Sequence, residues 1–95
     1  MPGNFVHHEA MYHRAQALRV QGKRLDAMNA YEELLRIYPV HTFGRLELAK
    51  MLEADGRTEE ALQHYQICLS HWKNASAGDT TVAATREAVA RLTSR

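Results

Sequence analysis

Apolar and small side chains recur along this chain at helical spacing. Met11, Ala15 and Leu18 fall at i, i+4 and i+7, on one face of a helix. Ala27, Tyr31, Leu34, Leu35 and Tyr38 follow at i, i+4, i+7, i+8 and i+11, a stripe wide enough to face a globular core. Leu48, Ala49 and Leu52 mark a third face, and Ala61, Tyr65 and Cys68 a fourth. Val82, Val89 and Leu92 give a narrower fifth stripe, with Thr85, Arg86, Glu87, Arg91 and Arg95 on polar faces around it. The breakers between these runs are Gln21-Gly22, Pro39, Asp55-Gly56 and the small-residue loop Asn74 to Asp79. The pattern predicts an all-α chain with helices over about 7–20, 25–38, 42–54, 58–72 and 80–93. Thr58 is the expected N-cap of the fourth helix, and Asp79 or Thr80 that of the fifth. Asp26, Glu59 and Glu60 suit the positive ends of the helices they open.

The second half of the pattern restates the first. Gly22-Lys-Arg-Leu-Asp-Ala27-Met-Asn-Ala-Tyr31 returns as Gly56-Arg-Thr-Glu-Glu-Ala61-Leu-Gln-His-Tyr65, 34 residues on. Ala15 pairs with Ala49, Leu18 with Leu52, and Leu35 with Leu69 at the same interval. A fixed period of this size marks a stack of supersecondary units. The fifth helix, apolar on one side and polar elsewhere, fits a cap that covers the stack and meets water.

Glycine turn, small residues and aromatic together resemble the tetratricopeptide repeat family. The small residue of the first helix is Ala15, then Ala49; the turn glycine is Gly22, then Gly56. The small residue opening the second helix is Ala27, then Ala61, and the aromatic one turn later is Tyr31, then Tyr65. The closing proline is Pro39, but its counterpart is Lys73, and Arg14 and Arg45 stand where the family usually has large apolar residues. The resemblance implies an all-α right-handed superhelix of about five helices. Residues 1–6 are expected to form a flexible arm and 7–95 a single domain. Within it, repeat 1 covers about 8–41, repeat 2 about 42–75 and the capping helix about 79–94.

In this family the first helix of each pair lines a concave groove that binds peptides or partner proteins. Carried over by register, the groove residues would be Glu9, Tyr12, Gln16 and Arg19 in the first helix, and Phe43, Leu46, Lys50 and Glu53 in the third. Each set follows i, i+3, i+7, i+10 and so shares a face, rotated away from the buried stripe. Tyr12, Phe43 and Leu46 are large apolar groups that could instead pack against the next helix or the arm. One subgroup of the family grips the C-terminal carboxylate of heat-shock chaperones with Lys, Asn and Arg. The matching positions here are Tyr12, Gln16, Glu47, Ala77 and Thr81, which include no cation, so that activity is not expected.

Composition narrows the function further. Ninety-five residues suit one small domain. Twelve basic and 11 acidic residues leave a net charge of +1, which lacks the basic excess of a nucleic-acid binder or an electrostatic membrane binder. The first six residues do not read as a signal peptide, and no window approaches a membrane span, so a cytoplasmic location is expected. Cys68 is the single cysteine, which rules out an intrachain disulfide.

The six histidines raise the question of a metal. His8-Glu9-Ala-Met-Tyr-His13 resembles the zinc protease motif but has one residue too many, and side chains at i and i+5 point about 140° apart on a helix. His64 and His71 share a face but stand two turns apart, about 10 Å. Surface or partly packed histidines are the expected state, with no metal and no cofactor. Cys68 lies one turn after His64, but nothing orients a base or forms an oxyanion site, so a small buried hydrophobe is expected there rather than a nucleophile. Trp72 reads as a packing residue. The sequence thus points to a non-catalytic module binding a protein or peptide in its groove; the alternative is a homodimer or larger assembly through an unpaired end of the short stack.

Overall fold

The computed structural model describes residues 8–74 and 79–94. Among them lie five α-helices: α1 (His8–Val20), α2 (Arg24–Ile37), α3 (Thr42–Ala54), α4 (Thr58–His71) and α5 (Thr80–Thr93). The expected arm and the loop residues 75–78 fall outside the described residues.

Two glycines set the hairpins. Gly22 and Gly56 have φ of +81° and +82°, the left-handed conformation that a side chain would strain. In the first turn the Gly22 N–H donates to the Arg19 carbonyl and the Lys23 N–H to the Leu18 carbonyl, both at 3.0 Å. The second turn repeats the pair with Gly56 to Glu53 and Arg57 to Leu52. Each is a six-to-one closure that satisfies the last carbonyls of a helix and reverses the chain in two residues.

The other boundaries follow from local caps. Tyr38, expected inside α2, is its C-cap, with its N–H on the Leu34 carbonyl. Trp72 likewise caps α4. The Asp79 carboxylate caps α5 by accepting from the amides of Thr81 at 2.9 Å and Val82 at 3.1 Å. Thr58 is not the cap of α4: Arg57 holds that position without a side-chain hydrogen bond to the helix. The tight turn closes α3 so soon that Thr58 already lies in the first helical turn. Arg57 instead pairs with Glu60 through two hydrogen bonds of 2.7 and 2.9 Å.

The helices pack in sequence order, most extensively within the pairs α1–α2 and α3–α4, with α5 against α4. Ala15, Ala27, Ala49 and Ala61 are all completely buried. Their methyl groups set a close approach within each hairpin, and Tyr31, Leu34, Leu48 and Leu52 fill the space around them. Ala27→Leu should overpack this contact and cost about 1–3 kcal/mol, read as a lower melting temperature; unchanged melting would contradict the close approach.

Gly44 is the corresponding contact between hairpins. A Cβ there would lie 2.6 Å from Leu34 Cδ2 and 3.0 Å from His41 Nδ1, so α3 rests directly on α2 at this point. In α5, Thr85 is not on a polar face as its residue type implied. It is buried, and its hydroxyl donates to the Thr81 carbonyl at 2.8 Å. That internal bond satisfies the oxygen and lets the methyl group pack inward beside Val82, Ala88 and Leu92.

Candidate partner-binding face

Successive odd-numbered helices present the stripe that the sequence marks as a groove, and the structure treats its members differently. On α1, Glu9 is exposed in the first turn. Tyr12 is half-buried, with its ring 6.3 Å from that of Tyr31 and 4.9 Å from that of His41. Its hydroxyl accepts from Gln16 Nε2 at 3.1 Å. Burial, assisted by Glu47, raises the Tyr12 pKa, so the phenol stays protonated at neutral pH.

Arg19 reaches across to α3, with Nε 3.7 Å from Glu47 Oε1. Its guanidinium is near enough to the buried Tyr31 hydroxyl to affect that group's ionisation, but neither Arg19 Nε nor the hydroxyl reaches hydrogen-bond geometry with a described residue. Lys50 Nζ lies 3.8 Å from the other Glu47 oxygen. Pairs this long and this exposed contribute little energy, so the central face is a chain of exchangeable charges.

The C-terminal half is better formed. Leu46, Lys50 and Glu53 of α3 meet Thr81, Ala84, Ala88 and Arg91 of α5 across an open cleft of about 440 Å³, with Tyr65 of α4 at its base. Leu46 is 5% exposed, so of the expected groove residues it forms floor rather than rim. Glu53 organises one end: Oε1 accepts from the Tyr65 hydroxyl at 2.8 Å and Oε2 from Arg91 Nη2 at 2.7 Å. Burial, and the proton's bond to Glu53, push the Tyr65 pKa up. Phe43 lies outside the cleft lining. It is 53% exposed, with its ring 5.7 Å from that of Trp72, which packs against the core.

The structure therefore gathers Leu46, Lys50 and Glu53 into one cleft, joins Arg19 to α3 through Glu47, and places Phe43 apart. Sequence reasoning assigned no residue of the α5 wall to the groove stripe. The signal was present in Ala84, Ala88 and Arg91, which follow i, i+4, i+7 and share a face.

Cys68 has no features of a nucleophile. Its thiol is fully buried and donates to the Thr42 carbonyl at 3.6 Å. Burial pushes its pKa up to about 11, so it carries a proton at neutral pH. His64, one turn earlier, has Nδ1 3.0 Å from Arg45 Nη1. Among the described residues no group of three or more His, Cys, Asp or Glu could hold a metal ion. Two of the three family departures also find their reasons. Arg45 links His64 to the Pro39 carbonyl, which it reaches at 2.8 Å, and Arg14 lines a polar recess with Asp26 and Glu33.

The family model described as Tetratricopeptide repeat matches residues 9–39, which span α1 and α2. Residues 9–39 form a tetratricopeptide-type repeat. The second hairpin of the repeat protein repeats the turn, the buried alanines and the buried tyrosine of the matched one. No curated protein matches the chain significantly. Repeats of this family are generally non-catalytic interaction modules. No helix among the described residues is long and apolar enough to cross a membrane.

Proposed function

We propose that this repeat protein is a non-catalytic adaptor that binds an extended segment of a partner protein along the face of α1, α3 and α5. The cleft between α3 and α5 is the observation that carries this reading. Small side chains at Ala84 and Ala88 leave the space open, Leu46 gives it an apolar floor, and Lys50, Glu53 and Arg91 ring it. An apolar pocket with a few polar groups at its rim suits an aliphatic side chain flanked by a peptide backbone. Tyr12, Gln16 and Arg19 extend the same face along α1.

The test uses peptides selected from a displayed random library against the intact chain. Ala84 is exposed, so Ala84→Arg should fill the cleft without disturbing the core. It is expected to weaken a selected peptide by about tenfold or more, the scale of a lost anchor, with melting unchanged. Equal binding by the variant would place the recognition elsewhere. Light scattering on the free chain checks that the face is open to a ligand. A stable dimer that dissociates in the Ala84→Arg variant would favour self-assembly through the cleft instead.

A further inference from the structure

The two hairpins meet where α2 passes into α3, and histidines hold that joint. His41 is the N-cap of α3, with Nδ1 accepting from the Gly44 amide at 3.0 Å. Arg45, one residue after Gly44, places Nη1 3.0 Å from His64 Nδ1 on α4 and donates from Nη2 to the Pro39 carbonyl at 2.8 Å. His71 Nδ1 lies 2.9 Å from the Thr42 hydroxyl. The first turn of α3 is thus tied to the α2–α3 loop and to α4 through imidazole nitrogens.

Two of these nitrogens must be unprotonated. Nδ1 of His41 can accept from an amide, and Nδ1 of His64 from a guanidinium, only in the neutral ring. We propose that the joint between the hairpins is an acid-sensitive clasp, in which neutral His41 and His64 hold the start of α3 and their protonation in mildly acidic solution releases it.

The surroundings favour release rather than resisting it. Facing His41 are His8 and Tyr12 of α1, with ring centroids 5.3 and 4.9 Å away, and Tyr38 at the end of α2, whose carbonyl accepts from the His41 amide. None of these is a carboxylate. A protonated His41 would lose its bond to Gly44, face the positive end of α3 and stand beside a second imidazole. His64 faces Arg45 from α3, and on its own helix Glu60 lies one turn earlier. Glu60 is committed to Arg57 and exposed, so it offsets little of the repulsion between Arg45 and a charged His64. Burial first, and then the neighbouring His8 for His41 or Arg45 for His64, lowers both pKa values from the ordinary 6.5.

The sign follows from linkage. Between the ordinary value and the lower folded values, the unfolded chain binds more protons than the folded one. The contribution of each neutral ring is therefore complete above about pH 6.5 and is lost as pH falls through the folded pKa. Tyr12 touches His41, so the α1 end of the concave face loosens with the joint.

The experiment compares melting of the intact chain at neutral and mildly acidic pH with that of a His41→Asn/His64→Gln double variant. Asn is a good N-cap that accepts the Gly44 amide without titrating, and the Gln carbonyl can accept from Arg45. The wild-type midpoint is expected to fall by about 5–10 °C on acidification, and the variant by less than half as much. NMR titration of the wild type gives a second readout that does not depend on the variant folding. His41 and His64 should titrate below 6.5, and the Gly44 amide shift should follow the His41 curve. An unchanged wild-type midpoint, an equal fall in the variant, or a His41 that titrates at or above 6.5 would overturn the clasp.

Discussion

A chain cut after residue 78 is expected to lose cooperative folding. In the intact protein α5 buries Val82, Ala88 and Leu92, packs along α4 and lines one cleft with Leu46 and Tyr65. Burial of a Val or Leu side chain is worth about 1.5–3 kcal/mol, so Val82 and Leu92 alone supply about 3–6 kcal/mol. Whole domains are stable by about 5–15 kcal/mol, and small ones lie near the bottom of that range. The truncated chain also loses the Arg91 bond that holds Glu53, leaving the carboxylate with Tyr65 alone among its present partners. Circular dichroism should show a broad, low-temperature transition or none, with aggregation through the exposed α4 face. A truncated chain that melts sharply near the intact midpoint would show that α5 is not structurally required.

Leu34→Ala is expected to cost about 2–5 kcal/mol, because a fully buried leucine leaves a cavity that its neighbours fill incompletely. The more informative result is its coupling to Gly44. In an ordinary helix Gly→Ala adds about 1 kcal/mol of stability. At Gly44 the new methyl group would overlap Leu34 Cδ2 and crowd His41 Nδ1, so Gly44→Ala alone should destabilise by about 1–3 kcal/mol. With Leu34 cut back to alanine, most of that overlap disappears. The two changes together should therefore cost less than their sum, by about 1 kcal/mol or more. Additive losses in denaturant melts would mean that α2 and α3 do not meet at this point.

How far the sequence reaches is visible in these same residues. Helix order and the two turns follow from Gly22, Gly56 and the alanines, because those residues act within one hairpin and their spacing is local. Thr58 misled because a good capping residue sits one place inside a turn whose length is fixed by Gly56. Thr85 misled because its polarity is answered by its own helix, which no side-chain scale records. Leu46 shares a face with Lys50 and Glu53, but the α5 residues that line the cleft with it lie about 40 residues further on. Gly44 and His41 were not legible at all. Their importance comes from how closely one helix crosses another, a tertiary distance with no periodic trace. Lys50 and Glu53 line the cleft with Leu46, as their shared face of α3 allows, while no residue of α1 reaches it.

The order of packing has a kinetic consequence. Among the described residues the substantial contacts join helices that are neighbours in the chain: α1 with α2, α2 with α3, α3 with α4, and α4 with α5. Little of the structure waits on closing a long loop, so folding should be fast for a chain of this size, in the microsecond-to-millisecond range of helical domains. Either hairpin can form first and template the other. Pulled from its two ends, such a chain should yield in steps, one hairpin at a time, rather than in a single rupture.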